Sequence, residues 1–115
     1  MKHTVSIKEN HVFRRLYAKG KTAASPALVL YARRGGGKGN RLGFTVSTKV
    51  GKAVVRNKVR RRLREIYRLH EEELALGWDL VVVARVKAAH VPYAALERDF
   101  LKLADKLGVR KAQQG

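Results

Sequence analysis

The stretch RLGFTVSTKVGKAVVRNKVRRRLREIYR, Arg41–Arg68, changes its hydrophobic period once, and that change decides the fold. At its start Leu42, Phe44 and Val46 alternate with Gly43, Thr45 and Ser47, the period-two pattern of a strand. Further on, Val55, Val59, Leu63, Ile66 and Tyr67 share one stripe at i, i+4, i+8, i+11 spacing, which predicts a core-facing helix over about residues 53–70. After EEELALG, the run DLVVVAR reads as a strand buried on both faces. Strand, helix, strand implies a parallel pair.

Working outward, Ser6 and Glu9 have the spacing of a capping box, and Val12, Phe13, Leu16 and Tyr17 repeat at helical spacing up to Gly20. This predicts a first helix over about residues 7–19. Pro26 introduces ALVLYAR, a strand with Leu28 and Leu30 on one face and Val29, Tyr31 and Arg33 on the other. The tract RGGGKGN is then expected to be a hairpin loop between this strand and the next. Leu96, Phe100, Leu103 and Leu107 mark a last helix entered after Pro92, followed by a tail, VRKAQQG, expected to be mobile. The sum is one α/β domain, a sheet of three or four strands with helices packed on it.

Charge says what such a domain binds. The chain has 115 residues with 26 Lys and Arg against 9 Asp and Glu, a formal net charge of +17 and a pI near 11.0. Between Lys49 and Arg68 stand Lys49, Lys52, Arg56, Lys58, Arg60, Arg61, Arg62, Arg64 and Arg68, opposed only by Glu65. Asn57, Arg60, Arg61, Arg64 and Arg68 fall opposite the apolar stripe. Solvated helix faces usually interleave acids with bases. Here that relief is missing, and guanidinium groups fixed on one face suit phosphates. The expected partner is nucleic acid.

Several classes are excluded. The chain has no cysteine, which removes disulfides, thiolate metal sites and cysteine nucleophiles. No apolar run approaches a membrane span, and the N-terminus has no stretch of signal-peptide length, so a cytoplasmic protein without membrane partners is expected. GGGKGN lacks the GK[ST] of a phosphate loop and joins two strands, although Lys38 and Arg41 are within reach of a phosphate. His3, His11, His70 and His90 are scattered, and Glu71, Glu72 and Glu73 point three ways around an exposed helix end, so neither set forms a metal or acid–base constellation. No catalytic residue and no protein-held metal are expected. Phe13, Tyr17 and Tyr31 remain as aromatic side chains beside basic ones, the makings of a stacking platform for single-stranded RNA; core packing is the equal alternative for Phe13. Trp78 reads as core.

The ordered string RLGF, VS, KVGKAV and RN followed by a basic helix, with WDLVVVAR later, resembles the bacterial ribonuclease P protein component over roughly residues 8–107. The resemblance implies an α+β two-layer sandwich in the order helix, three strands, helix, strand, helix, with an ordered core over about residues 7–108. The sheet would have four strands, one short strand around Lys21–Ala24, and a left-handed strand-helix-strand crossover, as in the second domain of a small-subunit ribosomal protein. General rules alone favour a right-handed one. It implies partnership with a catalytic RNA and with precursor tRNA, no obligate protein partner, and Mg2+-dependent removal of the 5′ leader by the RNA. The family's arginine-asparagine-arginine motif falls on Arg56, Asn57 and Lys58, where Lys58 keeps the charge but loses the planar fork. Thr48 likewise replaces a frequent lysine before Lys49. The leader cleft would use Phe13, Tyr17, Tyr31 and Arg33. Lys49, Lys52, Arg56, Asn57, Lys58, Arg60, Arg61, Arg64 and Arg68 would face the catalytic RNA. Two readings from other classes are a structural ribosomal protein and a basic DNA-compacting protein, the latter weakened by the lack of a dimerisation seam.

Overall fold

Trp78–Ala84 is the central strand of the sheet, and its Leu80, Val81 and Val82 are buried on both faces, as the unbroken apolar run requires. The computed structural model describes residues 1–111. In chain order the elements are β1 (Thr4–Ser6), α1 (Asn10–Lys19), β2 (Lys21–Ala24), β3 (Leu28–Arg34), β4 (Asn40–Val46), α2 (Ala53–His70), β5 (Trp78–Ala84) and α3 (Tyr93–Lys106). Short 3-10 turns flank α2 and precede α3. The sheet order is β1-β4-β5-β3-β2, with β4 and β5 parallel and β3 antiparallel to β5.

The parallel strand-helix-strand unit and the short strand at Lys21–Ala24 are present as expected, and α2 has the predicted bounds. Leu28, Leu30, Leu42, Leu80 and Val82 meet Val59, Leu63, Ile66 and Tyr67 of α2 and Leu96, Phe100 and Leu103 of α3 in the main core. These are the two layers of the sandwich. On the opposite face Val12 and Leu16 of α1 pack on Val81 with Ile7, a smaller core that leaves the rest of that face open.

Several expectations are corrected. The glycine tract does not close a hairpin, because β5 lies between β3 and β4. Strands flanking a third lie roughly 9.5 Å apart, which five residues span easily, and burying both faces of β5 requires the central place. The tract passes round the start of β5 at close quarters. Gly35 N–H donates to the Gly77 carbonyl at 2.8 Å, and a Cβ on Gly35 would meet an Asp79 carboxylate oxygen at 2.7 Å.

The sheet has five strands, not four. Thr4–Ser6 pairs in parallel with Asn40–Leu42, so Ser6 belongs to a strand and caps nothing; α1 starts at Asn10 after Glu9, without a side-chain cap. The ordered part therefore begins before residue 7. Glu71, expected on an exposed helix end, is buried because it accepts hydrogen bonds from Lys2 N–H at 2.8 Å, His3 N–H at 3.1 Å and the Thr4 hydroxyl at 2.6 Å.

The C-terminal tail is also held further than expected. Val109 is fully buried, its carbonyl accepts from Ala75 N–H at 2.7 Å, and Arg110 pairs with Glu73 at 2.7 Å and Asp105 at 3.2 Å. The rest of the tail, residues 112–115, lies outside the described residues.

Candidate nucleic-acid interface

The open face of the sheet presents Val29, Tyr31 and Arg33 from β3, Asp79, Val81 and Val83 from β5, and Arg41, Gly43 and Thr45 from β4, by the alternation of each strand. Register places Arg33, Asp79, Arg41 and Val5 in one row across it. Arg41 grips the Asp79 carboxylate through Nε at 2.8 Å and Nη2 at 2.7 Å, so the acid in this row is already neutralised. That contact also raises the Arg41 pKa, its hydrogen bond to Asp79 being the main cause.

Three aromatic rings stand over this face. Helical spacing puts Phe13 and Tyr17 one turn apart on α1, with ring centroids 6.4 Å apart, and Tyr31 meets Tyr17 edge to face at 5.0 Å. The Tyr17 hydroxyl is hydrogen-bonded to Thr45 Oγ1 at 2.7 Å, tying α1 to β4 while the ring stays exposed. Phe13 is half-buried, and it lies on Gly43: a Cβ there would come within 2.6 Å of two ring carbons. Only glycine gives Phe13 this seat. Gly43 and Thr45 were not singled out from sequence, since each depends on a neighbour from a distant part of the chain.

Along α2, residues Arg56, Arg60 and Arg64 recur every fourth position and form a ridge with neighbouring Cβ atoms about 5–6 Å apart. Asn57, Lys58, Arg61 and Arg64 are exposed, as are Lys49 and Lys52 before the helix. Asn57 accepts a hydrogen bond from Arg60 Nη1 at 3.1 Å, which orients one guanidinium on the surface. Arg56 Nε is buried without a hydrogen-bond partner. At the other end Arg68 forks onto Glu65 at 3.1 and 2.6 Å, which lowers the Glu65 pKa and leaves Arg68 the most neutralised of the series.

The two sets of residues meet. Beyond Leu42 the edge of β4 is no longer covered by β1, and a cavity of about 180 Å3 opens there, lined by Phe13, Gly43, Phe44, Arg60 and Arg64 among others. Phe13 and the arginine ridge thus share one concavity, although α1 and α2 lie on opposite faces of the sheet. Arg33, next along the open face from Tyr31, lines a separate cavity with Lys19, Lys21, Arg34 and Trp78, and Arg68 lies near Met1 and Lys2. Trp78 is buried in the core as expected. Among the described residues no group of three or more His, Asp or Glu side chains converges as metal ligands, and no helix is long and apolar enough to cross a membrane.

Comparison with known proteins gives the family and the fold. A family model described as Ribonuclease P matches residues 1–108. The ribonuclease P protein component of Natranaerobius thermophilus is 39% identical over 106 residues, covering 92% of each chain, and that of Caldanaerobacter subterraneus is 42% identical over 100 residues, covering 87% of this chain and 86% of the relative. The solved structure of the Staphylococcus aureus RNase P protein superposes with a TM-score of 0.85 at 32% identity, covering 92% of this chain and 97% of that one. The Thermotoga maritima protein gives 0.78 at 29% identity, covering 85% and 93%. The chain belongs to the ribonuclease P protein family.

Proposed function

We propose that this chain is the RNA-binding subunit of an endoribonuclease in which a catalytic RNA, assisted by Mg2+ held mainly by that RNA, removes the 5′ leader of precursor tRNA in the cytoplasm. The observation that carries the reading is the shared concavity of Phe13 with Arg60 and Arg64 at the uncovered edge of β4. A single strand stacked on Phe13, Tyr17 and Tyr31 runs directly onto a ridge of guanidinium groups that grips folded RNA. One rigid body then holds the leader and the catalytic RNA in fixed relation, which lowers the entropic cost of aligning the scissile bond. Bound at the cleavage site, the metal would activate water and stabilise the leaving oxygen. The side chains of this protein bind and orient; none acts as acid, base or nucleophile.

Reconstitution tests this. Mixed with its catalytic RNA at low Mg2+, the protein should raise cleavage of leader-bearing precursor tRNA and cleave nothing alone. Phe13→Ala should cost about 1–3 kcal/mol of affinity for each base that stacks on the ring, for leader-bearing substrate only. Equal losses on leaderless tRNA would refute the cleft assignment. Replacing Arg60 and Arg64 by alanine should flatten the log–log salt dependence of catalytic-RNA binding by about 0.7–0.9 per lost contact; an unchanged slope would mean that neither touches RNA.

A further inference from the structure

Lys19, Lys21, Arg33 and Arg34 converge on a cavity of about 380 Å3 beside Trp78, at the end of the sheet where α1 passes into β2 and α3 ends at Gly108. No carboxylate is among its lining residues. Asp79, opposite Arg33 in the register, is taken by Arg41. The Lys21 ammonium stands 5.9 Å and the Arg34 guanidinium 4.9 Å from the Trp78 ring centroid, so the ring face holds cations near the cavity. Arg33 Nη1 and Trp78 Nε1 are both buried without a hydrogen-bond partner. Four cations crowded into a concavity repel one another, and an anion placed among them relieves this and meets unused donors. Trp78, 5% exposed beneath its cations, has no free face for a base. The site suits a phosphate.

Its position says which phosphate. Arg33 follows Tyr31 on the same face of β3, about 6.7 Å along the strand. Arg33 lines the cavity from the Tyr31 side of the sheet, whereas Lys21, Ala32, Arg34 and Trp78 line it from the α3 side, so a strand continuing past Tyr31 reaches Arg33 next and turns round the end of the sheet to the other cations. We infer that the Lys19, Lys21, Arg33, Arg34 cavity binds a backbone phosphate of the precursor tRNA leader, upstream of the nucleotides in the aromatic cleft. The inference rests on the leader reading of that cleft.

The test uses the reconstituted holoenzyme, precursor tRNAs with a graded series of leader lengths, and the double variant Lys19→Ala/Lys21→Ala, both positions being exposed. Leaders too short to pass Tyr31 should bind the variant as they bind the parent. Longer leaders should bind it more weakly, with a salt slope reduced by about 0.7 per lost phosphate contact. Arg34→Gln should show the same length threshold, and Lys19→Arg/Lys21→Arg should restore binding. Unchanged binding at all lengths overturns the proposal, as does an equal loss at all lengths or a loss confined to affinity for the catalytic RNA. Phe13→Ala in the same series separates the two ideas. If it weakens short-leader substrates while the lysine variant affects none, the cleft stands and the phosphate site falls; if it weakens none, both fall.

Discussion

Gly43 shows how one missing Cβ shapes a binding surface. A methyl group there would overlap Phe13, so Gly43→Ala must push the ring off the sheet or spread α1 from β4. Overpacking of this kind costs about 1–3 kcal/mol, against about 0.5–1 kcal/mol gained by removing a strand glycine. A net loss of roughly 1 kcal/mol in urea unfolding is expected, with weaker binding of leader-bearing substrate and unchanged binding of leaderless tRNA.

His70 is a second single-residue determinant. It sits at the end of α2, with Nδ1 bonded to Glu73 and Nε2 to Glu97 of α3 at 2.9 Å. Desolvation lowers its pKa, but the bonds to Glu97 and Glu73 and their charges outweigh this, so the folded value lies above the ordinary 6.5. Its contribution to stability is therefore complete below about pH 6.5 and is lost as pH rises through the folded value. The urea midpoint should fall across that window. His70→Gln should remove that part of the dependence; a parent protein with a flat profile there would contradict the assignment.

Among the elements, β1 is the one most dependent on partners outside itself. Three residues with no apolar alternation carry no strand signal of their own, and Val5 is largely exposed. The strand exists because β4 offers an edge and Glu71 collects the Lys2 and His3 amides and the Thr4 hydroxyl. Burial raises the Glu71 pKa, but those three bonds and the N-terminal ammonium outweigh it, so the folded value is lowered from 4.5. The stabilisation is present above about pH 4.5 and is lost as pH falls through the folded value. Glu71→Ala should cost about 2 kcal/mol and speed amide exchange at residues 4–6 while leaving β5 protected. Unchanged exchange at Val5 would show that β4 alone holds the strand. The failed hairpin reading belongs to this scale too: five residues rich in glycine suit a hairpin and a passage round the start of β5 equally well. The choice is made by the apolar run in β5, which the chain supplies nearly forty residues later.

For the molecule as a whole, the +17 charge opposes its own compaction. Anions that bind the folded basic surfaces should stabilise it by mass action. Thermal melts in sulfate or inorganic phosphate, compared with chloride at equal ionic strength, should show a rise in Tm that saturates at low concentration. A rise that only tracks total salt would mean general screening. Three helices, three of the five strands and the basic face of α2 could be read from hydrophobic period and charge, because those signals are local, and the short strand at Lys21–Ala24 was implied by the family resemblance alone. The aromatic residues of α1 were visible as types, whereas their seat on Gly43, the tie from Tyr17 to Thr45 and the meeting of Phe13 with Arg60 and Arg64 were not.

The amino-acid sequence by itself determined which faces are apolar, which helix is basic and which family the chain resembles, since each is carried by neighbours along the chain. Tertiary structure alone decided the order of the strands, the capture of β1, the use of Glu71 and the division of Arg33 from the other cleft residues. These are choices among competing non-local partners, and they follow from which arrangement buries β5 on both faces and satisfies the buried polar groups. No periodicity within a segment encodes that total.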